Sequence, residues 1–498
     1  MPKSVMPRDP DRAGVPSLVA APGGRAGPWL AGLGALTCDI DPELVSEVIE
    51  LAGAREQRRR LLPASAVVYF VLGLCLFSGA DSAAPPGYRS VMRSQTNGLR
   101  DAYGTALPSA AALARGRERL GSKPFELLFD RCRGPLAGPG SPGAFAFGRR
   151  LVAWDGTSLD AVPSPGNAAA FGGPAGGRRP QLRLLALTEC GTRGLIDAAF
   201  DGYSRAAEHV LARRLLHALE PGMLLLADRN FPGYDLWGLA AATGADLAWR
   251  AKKNQVFPPL QILPDGSFIS VMPTPAEGVR HSRARARGVP LPSPPAGHQI
   301  RVIDYALTVT PATGPHRTEA FRLITTLLDW HAAPAPELAA LYHQRWEAET
   351  GYGDLKTRLR GAGFTLRSRL PDLTCQELLA FLTVYQALCA LETRAAGQAG
   401  TDPDRLSFTV TLRVARDSAS SHATLTTPAA LARARQHAIT DILADQLPGR
   451  RDRQYERAKN PPGHSKYPVR QDPRPPSKVS YTINITQKAP APAQNSLS

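Results

Sequence analysis

Tyr342, Arg345, Glu349 and Lys356 follow one another at intervals of 3, 4 and 7 residues. In a continuous α-helix, at about 100° per residue, those intervals keep the four side chains within roughly 60° of one another on a single face. Such a face carries a carboxylate, two permanent cations and a phenol. A carboxylate is a hard oxygen ligand that holds a divalent metal, while Arg, Lys and Tyr can grip a phosphate beside it. That combination suits cutting or joining a nucleic-acid backbone. Glu347 lies two residues from Glu349, but two helical steps turn it by about 200°, away from Arg345 and Lys356. Gly351 and Gly353 each cost a helix about 1 kcal/mol relative to Ala, so Lys356 keeps its place only if the helix survives them.

Two further carboxylates follow short apolar runs. Residues 151–154 read as a strand ending at Asp155, within Trp154-Asp155-Gly156-Thr157. Residues 223–227 read as a fully apolar, centrally buried strand ending at Asp228, within Leu226-Ala227-Asp228-Arg229-Asn230-Phe231. Open α/β sheets gather their ligands at the carboxyl ends of strands. If these strands are neighbours, Asp155 and Asp228 converge, and Glu349 must arrive from a helix packed over that edge. Phosphodiester hydrolysis needs an activated water and charge neutralisation at the attacking and leaving oxygens. Two Mg2+ or Mn2+ ions about 3.5–4 Å apart supply both, and carboxylates are their natural ligands. Singly, an Asp at a strand end is more often a turn or cap residue, and Asp228 beside Arg229 could be a surface ion pair. The weight rests on three acidic motifs occurring together.

The three segments resemble bacterial insertion-sequence transposases of the insertion-element-4 family, which belong to the DDE class. Tyr342, Arg345, Glu349 and Lys356 match that family's Tyr-Arg-Glu-Lys signature, residues 154–157 its first aspartate motif and residues 226–231 its second. The likeness spans roughly residues 30 to 420 and is weakest at the amino-terminal end. It implies an α/β, ribonuclease-H-like catalytic core interrupted by a β-rich insertion and preceded by a small all-helical domain. It implies that Asp155, Asp228 and Glu349 are the catalytic residues and the ligands of two Mg2+ or Mn2+ ions, and that Arg229 joins Tyr342, Arg345 and Lys356 in contacting DNA. The reaction implied is cut-and-paste transposition: end cleavage, a hairpin intermediate and strand transfer. The implied partners are double-stranded DNA, both inverted-repeat ends and target, and a second copy of the chain on paired ends. The complete acidic triad separates this reading from a decayed or domesticated relative that binds DNA without cutting it.

Composition agrees without deciding. The net charge of +16 favours a polyanionic partner, yet an Arg-, Ala-, Gly- and Pro-rich chain acquires such a charge from base composition alone. Six cysteines without a C-x-x-C pair argue against a zinc ribbon or a disulfide framework and suit a reducing cytosol, hence a cytoplasmic, nucleoid-associated protein. No leader-like apolar segment opens the chain, and the apolar run at 64–77 is too short to span a bilayer, so it reads as a buried helix with no membrane partner.

Along the chain, residues 1–28 read as a disordered tail and 29–134 as the helical domain, assigned to transposon-end binding. Asp41-Pro42 opens its first helix, and a third, starting at Ser109, carries Arg115, Arg117 and Arg119, either as an end-binding surface or as a solvated face. Residues 145–395 form the catalytic domain, with strands at 151–154, 181–188, 195–200 and 223–227, a helix at 206–219 and a fifth strand at 247–252. Residues 254–335 read as the β-rich insertion, with strands at 268–272, 300–309 and 322–328 around a Pro/Arg-rich loop near 280–298. Residues 396–498 are basic and partly disordered, the last twenty wholly so. Trp249 and Trp330 are candidates for stacking on an unpaired base, although tryptophan is more often core.

Overall fold

The computed structural model describes residues 32–56, 62–79, 87–103, 107–252, 254–289, 295–310, 316–361, 365–421, 427–447 and 480–486. The expected tail at 1–28 lies outside them. Five helices come first: α1 (Pro42–Leu51), α2 (Ala64–Leu76), α3 (Tyr88–Tyr103), α4 (Ala110–Leu120) and α5 (Lys123–Cys132). Their starts are written in the sequence. Asp41 accepts from the Leu44 amide at 2.7 Å and Ser109 from the Ala112 amide at 3.1 Å, each satisfying an otherwise orphaned helix donor. Nearly every residue of α2 is buried, as its unbroken apolar run requires.

These helices do not close on themselves. They share one core with three carboxyl-terminal helices, α12 (Pro371–Ala399), α13 (Phe408–Ser421) and α14 (Pro428–Ala444), and with Leu159, Leu182 and Leu184 of the sheet. Arg117 explains part of this. Far from facing solvent or DNA, it is 1% exposed, and its guanidinium donates to Gln376 Oε1 (2.9 Å), Tyr88 Oη (2.6 Å) and Ser368 Oγ (3.0 Å). Of the three α4 arginines, Arg115 and Arg119 are exposed, and Arg119 reaches Glu56 at 3.3 Å. Arg117→Ala should therefore destabilise the fold by about 3 kcal/mol, because it strands several buried acceptors at once. Thermal or urea melting checks this, and the folded fraction should bind DNA as before. α12 is the one helix among the described residues long and apolar enough to cross a membrane, but it is mostly buried, as the core helix of this bundle.

The central sheet is built from β1 (Phe145–Ala146), β2 (Arg149–Asp160), β3 (Gln181–Glu189), β4 (Leu195–Gly202), β5 (Met223–Ala227), β6 (Asp246–Arg250), β7 (Gln261–Ile262), β8 (Phe268–Pro273), β9 (Gly297–Thr310), β10 (Arg317–Thr325) and β11 (Ser480–Ile485). Its order is β4-β3-β2-β5-β6-β10-β9-β8-β7, with β1 on β2 and β11 on β9. β4, β3 and β2 are antiparallel, while β2, β5 and β6 run parallel. The protein is thus a mixed α/β structure with a large helical amino-terminal region and one central sheet. Alternation sorts its two faces. Val152, Trp154, Leu225 and Ala227 pack with α7 (Glu208–Arg214) and α8 (Tyr234–Ala241). Leu151, Ala153, Leu224 and Leu226 pack with α10 (Ala335–Tyr342) on the other.

Three expectations need correction, and a fourth segment joins the central sheet. β2 does not stop at Asp155 but runs to Asp160, because β3 pairs with it throughout, Asp155 opposite Ala186. The strands between β6 and α10 are present and prolong the central sheet, β10 pairing with β6. The loop near 280–298 contains the end of a helix, α9 (Pro275–Ala286), capped by Thr274, with Glu277 in its first turn and Arg283 and Arg285 in its last, which suits the helix dipole. Of the last twenty residues, Ser480–Ile485 form β11; Ile483 and Ile485 pack on the α10 core, and the strand covers half of an edge of β9. Trp249 is fully buried between Trp154 and Trp237 and is core, whereas Trp330 is half-buried with its ring 3.6 Å from that of His331.

Candidate active site

Pairing between β2 and β5 ends at Ala153 opposite Leu226. Carrying that register and alternation two residues on sets Asp155 opposite Asp228, on the face covered by α10. Paired strands lie about 4.8 Å apart, so this register leaves the two aspartates level with each other just beyond the last pair. Asp155 thus sits at the carboxyl end of the part of β2 that has a parallel neighbour, where the sheet opens. Asp228 begins the turn after β5, its carboxylate accepting from the Asn230 amide at 2.8 Å and from Asn230 Nδ2 at 3.3 Å. Arg229 is exposed beside it.

The segment that crosses this edge is not one continuous helix. α10 gives way to a 3-10 turn (His343–Arg345), then to α11 (Trp346–Gly353), then to a π-helical turn (Asp354–Leu359). A 3-10 turn advances about 120° per residue, and π turns cluster at functional sites, so the single-face geometry expected for an ideal helix is replaced by a segment wound tight and then loose. Three of its side chains still reach β2 and the end of β5. Tyr342 Oη donates to the Ala227 carbonyl at 3.2 Å, one residue before Asp228. Arg345 Nη1 lies 4.0 Å from Asp155 Oδ1. Lys356 Nζ donates to Thr157 Oγ1, two residues past Asp155. Glu349 lies on α11, and its side chain is outside the described residues. Gly351 does not break α11. A Cβ there would lie 2.7 Å from Tyr385 Oη on α12, so glycine is what lets the two helices approach.

Electrostatics sort the roles. Burial pushes the Tyr342 phenol up to about 12, against the opposing pull of Arg345, so it stays neutral. Its hydroxyl donates to the Ala227 carbonyl next to the Asp228 turn and also meets the Arg345 side chain. Burial, aided by Arg250 and Arg345, holds His343 at about 4, neutral at ordinary pH. Below the π turn, Arg193 pairs with Asp354 (2.9 Å) and Glu392 (3.4 Å), all nearly fully buried, and burial raises Glu392 to about 7. Sequence reasoning missed this network, and it missed Tyr352, whose hydroxyl donates to the Asp155 carbonyl at 2.5 Å and accepts from the Ala186 amide at 2.9 Å. The only available signal for Tyr352 was its position three residues after Glu349.

By chemistry Asp155 and Asp228 fit a divalent cation, both being hard oxygen ligands just beyond the parallel pairing of β2 and β5. Among the described residues no cluster of three His, Cys, Asp or Glu side chains is gathered. One aspartate within β2, one directly after β5 and a glutamate on α11 are the residue types expected of the DDE class of polynucleotidyl enzymes. The comparisons take this further. Residues 30–130 match the insertion element 4 transposase N-terminal family, and residues 146–384 match the transposase DDE domain. The chain is 26% identical over 378 residues to transposase InsG for insertion sequence element IS4 of Escherichia coli (strain K12), covering 74% of this chain and 79% of that one. Among solved structures it resembles the piggyBac transposase synaptic complex with hairpin DNA, with a TM-score of 0.42 and 11% identity over 84% of this chain and 85% of that one. The chain belongs to the insertion element 4 family of DDE-type DNA transposases.

Proposed function

We propose that this transposase moves its element by cut-and-paste, with Asp155, Asp228 and Glu349 as its catalytic carboxylates and the ligands of two Mg2+ or Mn2+ ions. What supports this is the parallel register of β2 and β5, whose last pair, Ala153 with Leu226, lies two residues before Asp155 and Asp228. When bound, the ions would supply an activated nucleophile and neutralise charge on the attacking and leaving oxygens. Arg345, already beside Asp155, turns its guanidinium to a phosphate next to the scissile bond, and Lys356 adds a point charge on the same side. Arg229, exposed next to Asp228, grips the backbone further along. Each transposon end is nicked, the freed 3′-hydroxyl attacks the opposite strand to give a hairpin, the hairpin is reopened, and the 3′-ends attack target DNA.

In this reading residues 29–134 bind the inverted repeats, 145–395 are a ribonuclease-H-like catalytic domain with 254–335 as its insertion, and 396–498 form a basic carboxyl-terminal region. Two copies act on paired ends, in the cytoplasm at the nucleoid. The test is to incubate the purified protein with DNA carrying the sequences that flank its own gene, with and without Mn2+. Cleavage at the ends and hairpin formation with Mn2+ only are expected. Binding without cleavage under all conditions would favour a decayed copy.

A further inference from the structure

We propose that Tyr352 is a positioning residue for Asp155, its hydroxyl fixing the backbone from which that carboxylate projects; this rests on the reading of Asp155 as a metal ligand. Asp155 and Ala186 stand opposite each other in the β2–β3 ladder. The Tyr352 hydroxyl accepts from the Ala186 N–H at 2.9 Å and donates to the Asp155 carbonyl at 2.5 Å, so it bridges the two strands at the rung that carries the aspartate. A hydroxyl serves both ends because it is donor and acceptor at once. The ring is 8% exposed within the large core that also holds Leu355 and Tyr385, which leaves it little freedom to rotate away.

The placement has two consequences. Tyr352 lies on α11 three residues after Glu349, so one hydroxyl ties the helix carrying the third carboxylate to the backbone of the first. It is also neutral and buried. Arg345 and Lys356, the other groups that hold this segment to β2, are charged, and phosphate competes for them when DNA arrives. The Tyr352 bridge has no such competitor and survives loading of substrate. Groups that orient a metal ligand without touching the metal change metal affinity by about 10- to 100-fold when removed.

The test compares Tyr352→Phe with Tyr385→Phe. The second variant removes a buried hydroxyl from the same core that donates to the Arg193 carbonyl at 3.0 Å and does not reach Asp155. Mn2+ is titrated into each protein bound to a pre-cleaved transposon-end duplex and followed by electron paramagnetic resonance. Cleavage rate against Mn2+ concentration and melting temperature are measured in parallel. Tyr352→Phe should raise the Mn2+ concentration for half-saturation about tenfold or more, with cleavage recovering at high Mn2+, while Tyr385→Phe leaves it unchanged. Equal half-saturation in wild type and Tyr352→Phe, or an equal shift in both variants, would overturn the positioning role alone. A wild-type complex that binds no Mn2+ would overturn the carboxylate site on which it rests.

Discussion

Glu349→Gln is expected to abolish strand cleavage while leaving binding to the transposon end intact. The amide keeps the size and hydrogen-bonding capacity of the side chain and loses the charge that holds a divalent ion and offsets the cost of its dehydration. Without that ion both the activated nucleophile and the stabilised leaving group are lost, so the rate should fall by several orders of magnitude. On the proposed reading, end binding belongs to the helical region at residues 29–134, which the substitution does not touch. Labelled end DNA, wild type and variant at the same Mg2+, gives the measurement. Comparable cleavage by the two would show that another residue completes the site, and Glu347, two positions away, would be examined first.

The parts of this site that were legible in the sequence are those set by local rules. An apolar pentad followed by Asp228 can only be a buried strand and its exit, and β5 ends at Ala227 as that pattern requires. Asp41-Pro42 and Ser109 fix helix starts by capping, which depends on three or four neighbouring residues. The errors come from partners distant in sequence. Asp155-Gly156 looks like a turn, but β3 carries the ladder past it to Asp160. Arg117 looks like one member of a basic stripe, but its partners Ser368 and Gln376 lie 251 and 259 residues away. Tyr352 reads as an ordinary aromatic until Asp155, 197 residues earlier, is brought against it. Of the spaced residues, Tyr342, Arg345 and Lys356 reach Ala227, Asp155 and Thr157, but not by the single helical face that their intervals suggest. Their segment reaches the strand ends through a 3-10 turn and a π turn, which no fixed angle per residue describes.

Arg345 decides between two accounts of that signature, one structural and one functional. In the structure its guanidinium stands 4.0 Å from Asp155, with both side chains partly accessible at 17% and 21% exposure. An ion pair so placed contributes at most about 1 kcal/mol to stability. A guanidinium on the phosphate beside the scissile bond contributes far more to the reaction, because it meets charge that develops only as the bond breaks; removing one such donor costs enzymes about 10²- to 10³-fold in rate. Arg345→Ala should therefore melt within a few degrees of wild type, cleave about 10²-fold more slowly or worse, and lose about one unit from the slope of binding affinity against salt concentration, as expected for one phosphate contact. Mn2+ binding should persist, since a guanidinium is no metal ligand, and relief of its attraction for Asp155 leaves that carboxylate freer to bind the ion. A variant that cleaves at the wild-type rate with an unchanged salt slope would assign Arg345 to the ion pair alone, and phosphate contact near the scissile bond would then fall to Lys356 and Arg229.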